Sequence, residues 1–333
     1  MNYFRIQKYQ MLLRCLVPFL KKLNLSVMNL FNAMPGACAQ GLIWGIMAIG
    51  VYITYKILDL ADLTVDGTMC TGGAVCVVMI LNGQPVWLAL LAAFFAGVLA
   101  GLVTGLLHTA MGIPAILAGI LTQLGLYSVN LRIMGGKANQ ALNVDKYDLL
   151  VSLRYIKGVP IQKNTILVAA VLVLVLIAVL YWFFGTELGC AIRATGSNQN
   201  MSRAQGINTD RMKILGLMLS NGIVAFASAL YAQYQGFSEI NAGRGAIVIG
   251  LAAVIIGEVI FGKISVNFAF KLLSVALGAI IYYLVLQVVL WLGLNSNDLK
   301  LLSAIVVAVF LAVPYMRERY FPKPVKKGGA PRA

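Results

Sequence analysis

The sequence predicts an all-α protein, a polytopic membrane helix bundle of about 8–9 segments. Three observations predict it. Hydrophobic residues make up 60% of the 333-residue chain and charged residues only 11%, against about 45–50% and about 25% in a soluble domain. A protein core shields only part of a chain's apolar surface, so this excess calls for lipid as a second solvent. Charge-free apolar runs recur, and crossing a ~30 Å hydrocarbon layer takes about 20 residues; residues 165–184 (TILVAAVLVLVLIAVLYWFF) are the cleanest such run. Lysines and arginines collect at the edges of these runs, as the positive-inside rule expects.

In chain order the apolar segments are roughly 36–58, 66–82, 86–107, 113–133, 165–184, 213–235, 245–261, 267–293 and 299–315. Polar stretches of some length separate them only at 134–163 and 185–212. This divides the chain into a basic N-terminal extension (1–27), one membrane domain (28–315) and a basic tail (316–333, ending PKPVKKGGAPRA) with the composition of a disordered segment.

The net charge of +15 does not indicate a nucleic-acid partner, because such proteins gather Lys and Arg on one face among aromatics. Cys15, Cys38, Cys70, Cys76 and Cys190 show no CxxC or Cys/His spacing, so neither a disulfide nor a metal is indicated.

Orientation follows from Lys and Arg. The tail carries Arg317, Arg319, Lys323, Lys326, Lys327 and Arg332, and the 185–212 loop carries Arg193, Arg203 and Arg211. Both are expected on the cytoplasmic side, and the four crossings between them agree in parity. The 134–163 stretch is then external by parity alone.

The 86–107 segment places Ala93, Gly97, Gly101 and Gly105 at four-residue spacing, a smooth stripe where another helix backbone can approach closely. Residues 72–84 (GGAVCVVMILNGQ) and 250–263 (GLAAVIIGEVIFGK) resemble each other weakly, each following a polar, Gly-containing stretch. With four segments before 165–184 and four after the loop, the halves are expected to be inverted repeats, an arrangement that places solute near the midplane beside broken helices.

Candidate pathway residues are those whose polarity is costly at bilayer depth. Asp59, Asp62 and Asp66 fall in ILDLADLTVDGTM, where a carboxylate costs about 2.5–3.5 kcal/mol on insertion scales unless solvated or paired. Asp62 and Asp66 are the functional candidates, and Asp59 can pair with Lys56. Thr122, Gln123, Asn130, Asn221 and Gln287 are polar positions inside apolar segments, and Arg244, between Gly243 and Gly245, suits a pore mouth. Glu258 is expected to snorkel and pair with Lys263.

Gly257–Ile264 fits GxxxxGK but has Ile264 where a magnesium-holding Ser or Thr belongs. His108 is the only histidine, and no catalytic constellation can be assembled. Neither catalysis, a metal nor a cofactor bound by this chain is expected.

The 185–212 loop carries the strongest functional signal. In GCAIRATGSNQNMSRAQGIN, Ser197 or Asn198 can cap a short helix and Gly206 can end it in a left-handed conformation. A rigid capped helix between two crossings reads as a docking element.

This loop resembles the ATPase-coupling loop in permeases of the branched-chain amino acid and ribose type of ABC importers, through Gly189, Arg193, Ala194, Asn198, Ala204, Gly206 and Ile207. DLTVDGTMCTGGAV and the GIPAILAGILTQLGL helix start extend the likeness across about residues 28–315, nearest to a subgroup linked to tryptophan or tyrosine uptake. The resemblance implies a multi-pass permease subunit of the bacterial cell membrane that translocates an amino acid or similar small solute. It implies ABC ATPase subunits holding ATP and Mg, an extracytoplasmic solute-binding protein, and a second permease copy forming a homodimer. The coupling loop would comprise Gly189, Arg193, Ala194, Gly196, Asn198, Arg203, Ala204 and Gly206. The alternative is an ion-coupled secondary transporter using Asp62, Asp66 and Glu258.

Inverted repeats require the first segment to run from outside to inside. Residues 1–27, with Arg5, Lys8, Arg14, Lys21 and Lys22 and no acidic residue, fit an external terminus badly. Translation is therefore expected to start at Met28, or 1–27 to be peripheral. The competing topology keeps the N-terminus inside and makes 61–82 a re-entrant pair.

Overall fold

The computed structural model describes residues 33–144, 146–156, 163–262, 267–291 and, beyond these, positions 301, 303–305, 307–309 and 312. The 1–27 extension, the 316–333 tail and Lys263 lie outside the described residues, as does most of the 299–315 segment.

The first eight expected segments are helices: α1 (Ala33–Ile57), α2 (Thr64–Leu81), α3 (Val86–Thr109), α4 (Ala115–Ile133), α5 (Thr165–Gly185), α8 (Thr209–Gln235), α9 (Ala246–Phe261) and α10 (Phe268–Trp291). All but the 16-residue α9 are long and apolar enough to cross a membrane. α2 is one unbroken helix, so residues 61–82 are not a re-entrant pair. The 185–212 loop folds into two short helices, α6 (Glu187–Ser197) and α7 (Gln199–Ala204).

The described part of the 134–163 stretch contains regular structure. Its strand β1 (Asn139–Ala141) pairs antiparallel with β2 (Phe237–Glu239), just past the end of α8. The following residues bury Leu142, Leu149 and Val151. The Gln233 side-chain carbonyl of α8 accepts the Leu150 amide at 3.2 Å. This cap therefore closes one end of the bundle, while α6 and α7 lie at the other end, where α8 begins.

α1 and α8 run antiparallel through the centre. The Ser220 hydroxyl donates to the Gly50 carbonyl at 2.8 Å, and the Tyr234 hydroxyl donates to that of Gly36 at 3.2 Å. Each then packs chiefly against helices of the other half. α3 crosses α8 antiparallel: a side chain at Gly97 would strike the Asn221 carbonyl, one at Gly101 the Leu217 carbonyl, and one at Gly105 would lie 3.0 Å from Ile214 Cα. α10 crosses α1 in the same sense, with a Cβ at Gly41 falling 2.7 Å from Ile280 Cα and one at Gly45 3.2 Å from Ala276 Cα. α2 lies parallel to α8, with Gly72 against Ala225, and α9 parallel to α1, with Gly250 against Met47 and Val51. The contacts α8 makes with α2 and α3 thus recur between α1 and the pair α9 and α10. This is the arrangement that two inverted repeats exchanging their first helices produce.

Helix α5 stands at the side. Its buried residues are Thr165, Ala169, Val173, Ile177, Leu180 and Phe184, a single stripe at helical spacing, and the remaining apolar surface faces outward as lipid requires.

Because the α3–α8 seam has no room for a Cβ, we expect Gly101→Val to lower the apparent Tm of the purified protein by several degrees, in line with about 1–3 kcal/mol for overpacking. Gly125→Ala, where a Cβ meets nothing within 4 Å, is expected to leave Tm unchanged or slightly raised. Thermal unfolding in detergent with both variants checks this.

Candidate functional site

The α6–α7 knob is built from its caps. The Thr186 hydroxyl accepts the Gly189 amide at 3.4 Å and donates to the Phe183 carbonyl at 2.6 Å, turning the chain sharply out of α5. Ile192 and Thr195 face inward, buried. Gly196 seats directly on the end of α1, where a Cβ would collide with the Ile57 carbonyl and lie 2.9 Å from Leu58 Cα. Arg193 lies over the Phe268 ring at 5.4 Å, tying the knob to α10.

Asn198, extended at φ −155°, separates the two helices, and its side chain accepts the Met201 amide at 3.0 Å. Gly206 closes α7 at φ +84°, a left-handed conformation that glycine adopts without steric cost. Both ends of this short helix are therefore where the spacing predicted them.

Arg203 is held within the chain and is also half-exposed. Its Nε donates to the Thr209 hydroxyl at 2.8 Å and its guanidinium pairs with Asp210 at 3.3 Å, bracing α7 against the start of α8. The exposed surface of α7 comprises Asn200, Arg203, Ala204 and Met201, the last 60% exposed and apolar. Met201 was not among the expected loop residues. An apolar side chain on a capped helix within a polar stretch is the signal that identifies it.

The end of α1 is distorted where the knob meets it. Residues Ile53–Ile57 form a π turn, with the Leu58 amide bonded to the Ile53 carbonyl at 3.0 Å. Asp59 follows at φ +54°, a conformation uncommon outside glycine. Lys56 does not pair with Asp59. Its ammonium lies 2.9 Å from Glu258, joining the ends of α1 and α9; Lys263, the expected partner of Glu258, lies outside the described residues.

The intramembrane candidates fall into separate groups. Asp62, only 3% exposed, accepts the Thr64 amide at 2.9 Å and the Asn221 side-chain amide at 2.7 Å. The Asn221 carbonyl oxygen accepts the Thr68 hydroxyl at 2.7 Å. The Thr64 and Thr104 hydroxyls meet at 2.7 Å, and Thr104 continues to Thr122 at 2.9 Å. Asp62, Asn221 and Thr122 thus belong to one buried seam stitching α2, α3, α4 and α8 together. Gln123 is half-buried, its backbone pressed against Gly67.

Asp66, on the first turn of α2, reaches across to α9. Its carboxylate accepts the Gly245 and Ile247 amides, each at 3.0 Å, so an acidic side chain from one half caps a helix of the other. Hydrogen bonds to a charged group are worth about 1.5–3 kcal/mol each, enough for two of them to offset the insertion cost of an intramembrane carboxylate. Cys70, one turn on, donates to the Ile240 carbonyl at 3.0 Å and accepts the Gly243 amide at 3.3 Å.

Arg244 stands beside this joint but opens onto a cavity of about 510 Å³ bordered by α1, α8, α9 and α10, and by positions 303, 304 and 307. Trp44, Tyr231, Tyr282 and Tyr283 line it, as does Gln287. Of the expected pathway residues only Arg244 and Gln287 reach it; Asp62, Asp66, Thr122, Gln123 and Asn221 do not.

Residues 34–314 match the family described as branched-chain amino acid transport system / permease component. A tyrosine transport system permease protein of Clostridioides difficile is 41% identical over 273 residues, covering 82% of this chain and 88% of that protein. Uncharacterized protein RP368 of Rickettsia prowazekii is 33% identical over 84% of this chain and 97% of its own length. The autoinducer 2 import system permease protein LsrC of Escherichia coli O157:H7 is 31% identical over 75% of this chain and 69% of its own length. A many-crossing helical bundle with a capped knob between α5 and α8, matched along most of its length, is a multi-pass membrane protein, and the chain belongs to the branched-chain amino acid transport system permease family.

Proposed function

We propose that this chain is the membrane-spanning subunit of an ATP-driven importer of the bacterial cell membrane, moving an amino-acid-like solute inward while a separate ATPase supplies the energy. The observation that carries this reading is the α6–α7 knob. It is capped at both ends, braced by Arg203, seated on α1 through Gly196, and exposes Met201 and Ala204. A rigid element of this kind transmits force between a partner's groove and a transmembrane helix, whereas a solvated linker has no need of caps. Its differential contact with the ATPase in two nucleotide states would bias which side of the bundle is open.

The same reading assigns the knob to the cytoplasmic face and the β1–β2 cap to the external face, where a solute-binding protein would deliver its cargo. Two copies of the chain would then meet two ATPase subunits, with ATP and Mg held by the ATPases. Asp62, Asn221 and Thr122 would frame the pathway by fixing α2 and α8, and Asp66 by fixing the start of α9.

Two outcomes test this. The full chain alone, in vesicles carrying an imposed proton or sodium gradient, is expected not to accumulate amino acids. Gradient-driven accumulation without an ATPase would favour the ion-coupled alternative. Met201→Glu or Ala204→Trp is expected to abolish solute-stimulated ATPase activity of the assembled transporter while leaving the chain inserted and its Tm unchanged. A buried apolar anchor contributes about 2 kcal/mol or more at such an interface. Full stimulation in both variants would reduce the knob to a linker.

A further inference from the structure

Asp59 follows the end of α1 and is ill suited to that position in two ways. Among the described residues it is the only non-glycine with a left-handed backbone, at φ +54°, a conformation that glycine takes up more easily. It also places a negative charge beyond the C-terminus of α1, where the helix dipole is negative and favours a cation. The basic residue of that last turn, Lys56, is engaged elsewhere, with Glu258 at 2.9 Å. Asp59 itself is exposed, and its side chain meets no cation at ion-pair distance and no hydrogen-bond donor among the described residues. Nothing inside the chain offsets either cost.

The backbone around it is nevertheless fixed from both sides. Leu58 is buried between two glycines: a Cβ on Gly196 would lie 2.9 Å from Leu58 Cα, and one on Gly216 would strike the Leu58 side chain. Gly196 belongs to α6 and Gly216 to α8, so the knob and a central helix hold Leu58 between them. On the other side, the Leu60 amide donates to the Thr54 carbonyl at 3.0 Å. Asp62 is then anchored in the buried seam through Thr64 and Asn221. Of residues 58–62, Asp59 alone presents a charge at the surface. A strained backbone that its surroundings over-determine is the pattern of a functional position, whereas a free loop would relax.

From these features we propose that Asp59 is a second contact for the ATPase subunit, pairing with an arginine or lysine of that partner beside the knob. The inference rests on the importer reading, which gives the knob face to the ATPase. Gly196 is the last residue but one of α6, so Asp59 borders the α6–α7 junction, next to the helix that exposes Met201. A cation arriving there satisfies the carboxylate and complements the negative end of α1 together. An apolar or acidic partner surface would do neither. Met201 supplies apolar area to the interface, and Asp59 supplies register and a charge that steers encounter. The contact also falls on the chain leaving α1, so the partner engages that helix directly as well as through the knob seated on it.

The full chain in lipid nanodiscs is titrated with the ATPase subunit that copurifies with it, at low and at raised NaCl. Wild-type binding is expected to weaken as salt rises. Asp59→Asn removes the charge and keeps a side chain that tolerates the left-handed turn. It is expected to leave Tm unchanged or slightly raised, to weaken ATPase binding at least about threefold, and to flatten the salt dependence. Asp59→Lys is expected to weaken binding further. Unchanged affinity and salt dependence in both variants overturns the proposal. So does a loss of several degrees in the Tm of Asp59→Asn, which would give the carboxylate a purely structural role. If Met201→Glu abolishes binding while Asp59→Lys leaves it unaltered, this inference fails and the importer reading stands. If no ATPase copurifies with the chain or binds it, the importer reading itself fails.

Discussion

Two helices of this bundle begin among other helices, close to an aspartate that takes up amides at the break. Asp62 accepts the Thr64 amide where α2 starts, and Asp66 accepts the Gly245 and Ile247 amides where α9 starts. In hydrocarbon an exposed backbone amide has no water to turn to, so non-helical chain is tolerated only where protein supplies the partners. Every other feature of the interior depends on that condition being met twice. Asp62 also binds Asn221 near the middle of α8, so the carboxylate that closes one chain break sets the depth at which α2 meets its neighbour. Asp66 does the equivalent between the halves. Removing either carboxylate would leave amides unpartnered in a medium where each costs several kcal/mol.

The glycines determine how close the halves come. α8 receives α2 and α3 from the first half and α1 receives α10 from the second at backbone contact, while α9 meets α1 through the Met47 and Val51 side chains. Association in lipid has no hydrophobic drive between helices and relies on close packing and interhelical hydrogen bonds. An interlocked exchange of this kind buries α1 and α8 on nearly all sides and leaves α3, α4 and α5 to meet the lipid. The exposed Trp87, Leu91, Phe95 and Leu99 of α3 lie opposite its glycine stripe, so that one helix shows both solvents' demands.

The crossings are legible in the sequence because twenty apolar residues in a row have few other uses. Asn198 and Gly206 are legible for a local reason: cap and stop act on their own helix, within a few residues. The stripe Gly97–Gly101–Gly105 marks a close approach, though not that α8 is its partner. Contacts across long separations leave no local trace. Lys56 meets Glu258 across 202 positions, while nearer partners, Asp59 and Lys263, look equally suitable in one dimension. α5 is apolar on every face, so the pattern cannot tell lipid from bundle. The cavity wall is the extreme case, because Trp44, Tyr231 and Tyr283 become a cluster only once three helices are placed. Among the expected pathway residues, polarity alone cannot separate Asn221, which finds its partners inside the seam, from Arg244, which does not.

α1 is continuous from the cavity wall at Trp44 to the π turn at Ile57 on which Gly196 sits. Those two points are about 20 Å apart along the axis at 1.5 Å per residue, and the only irregularity between them is the π turn itself, at the knob end. A push on α6 therefore enters a single strut with its one compliant coil at the base. Such a displacement would enter the same helix that carries Trp44, and α8, α9 and α10, packed along its length, would share it.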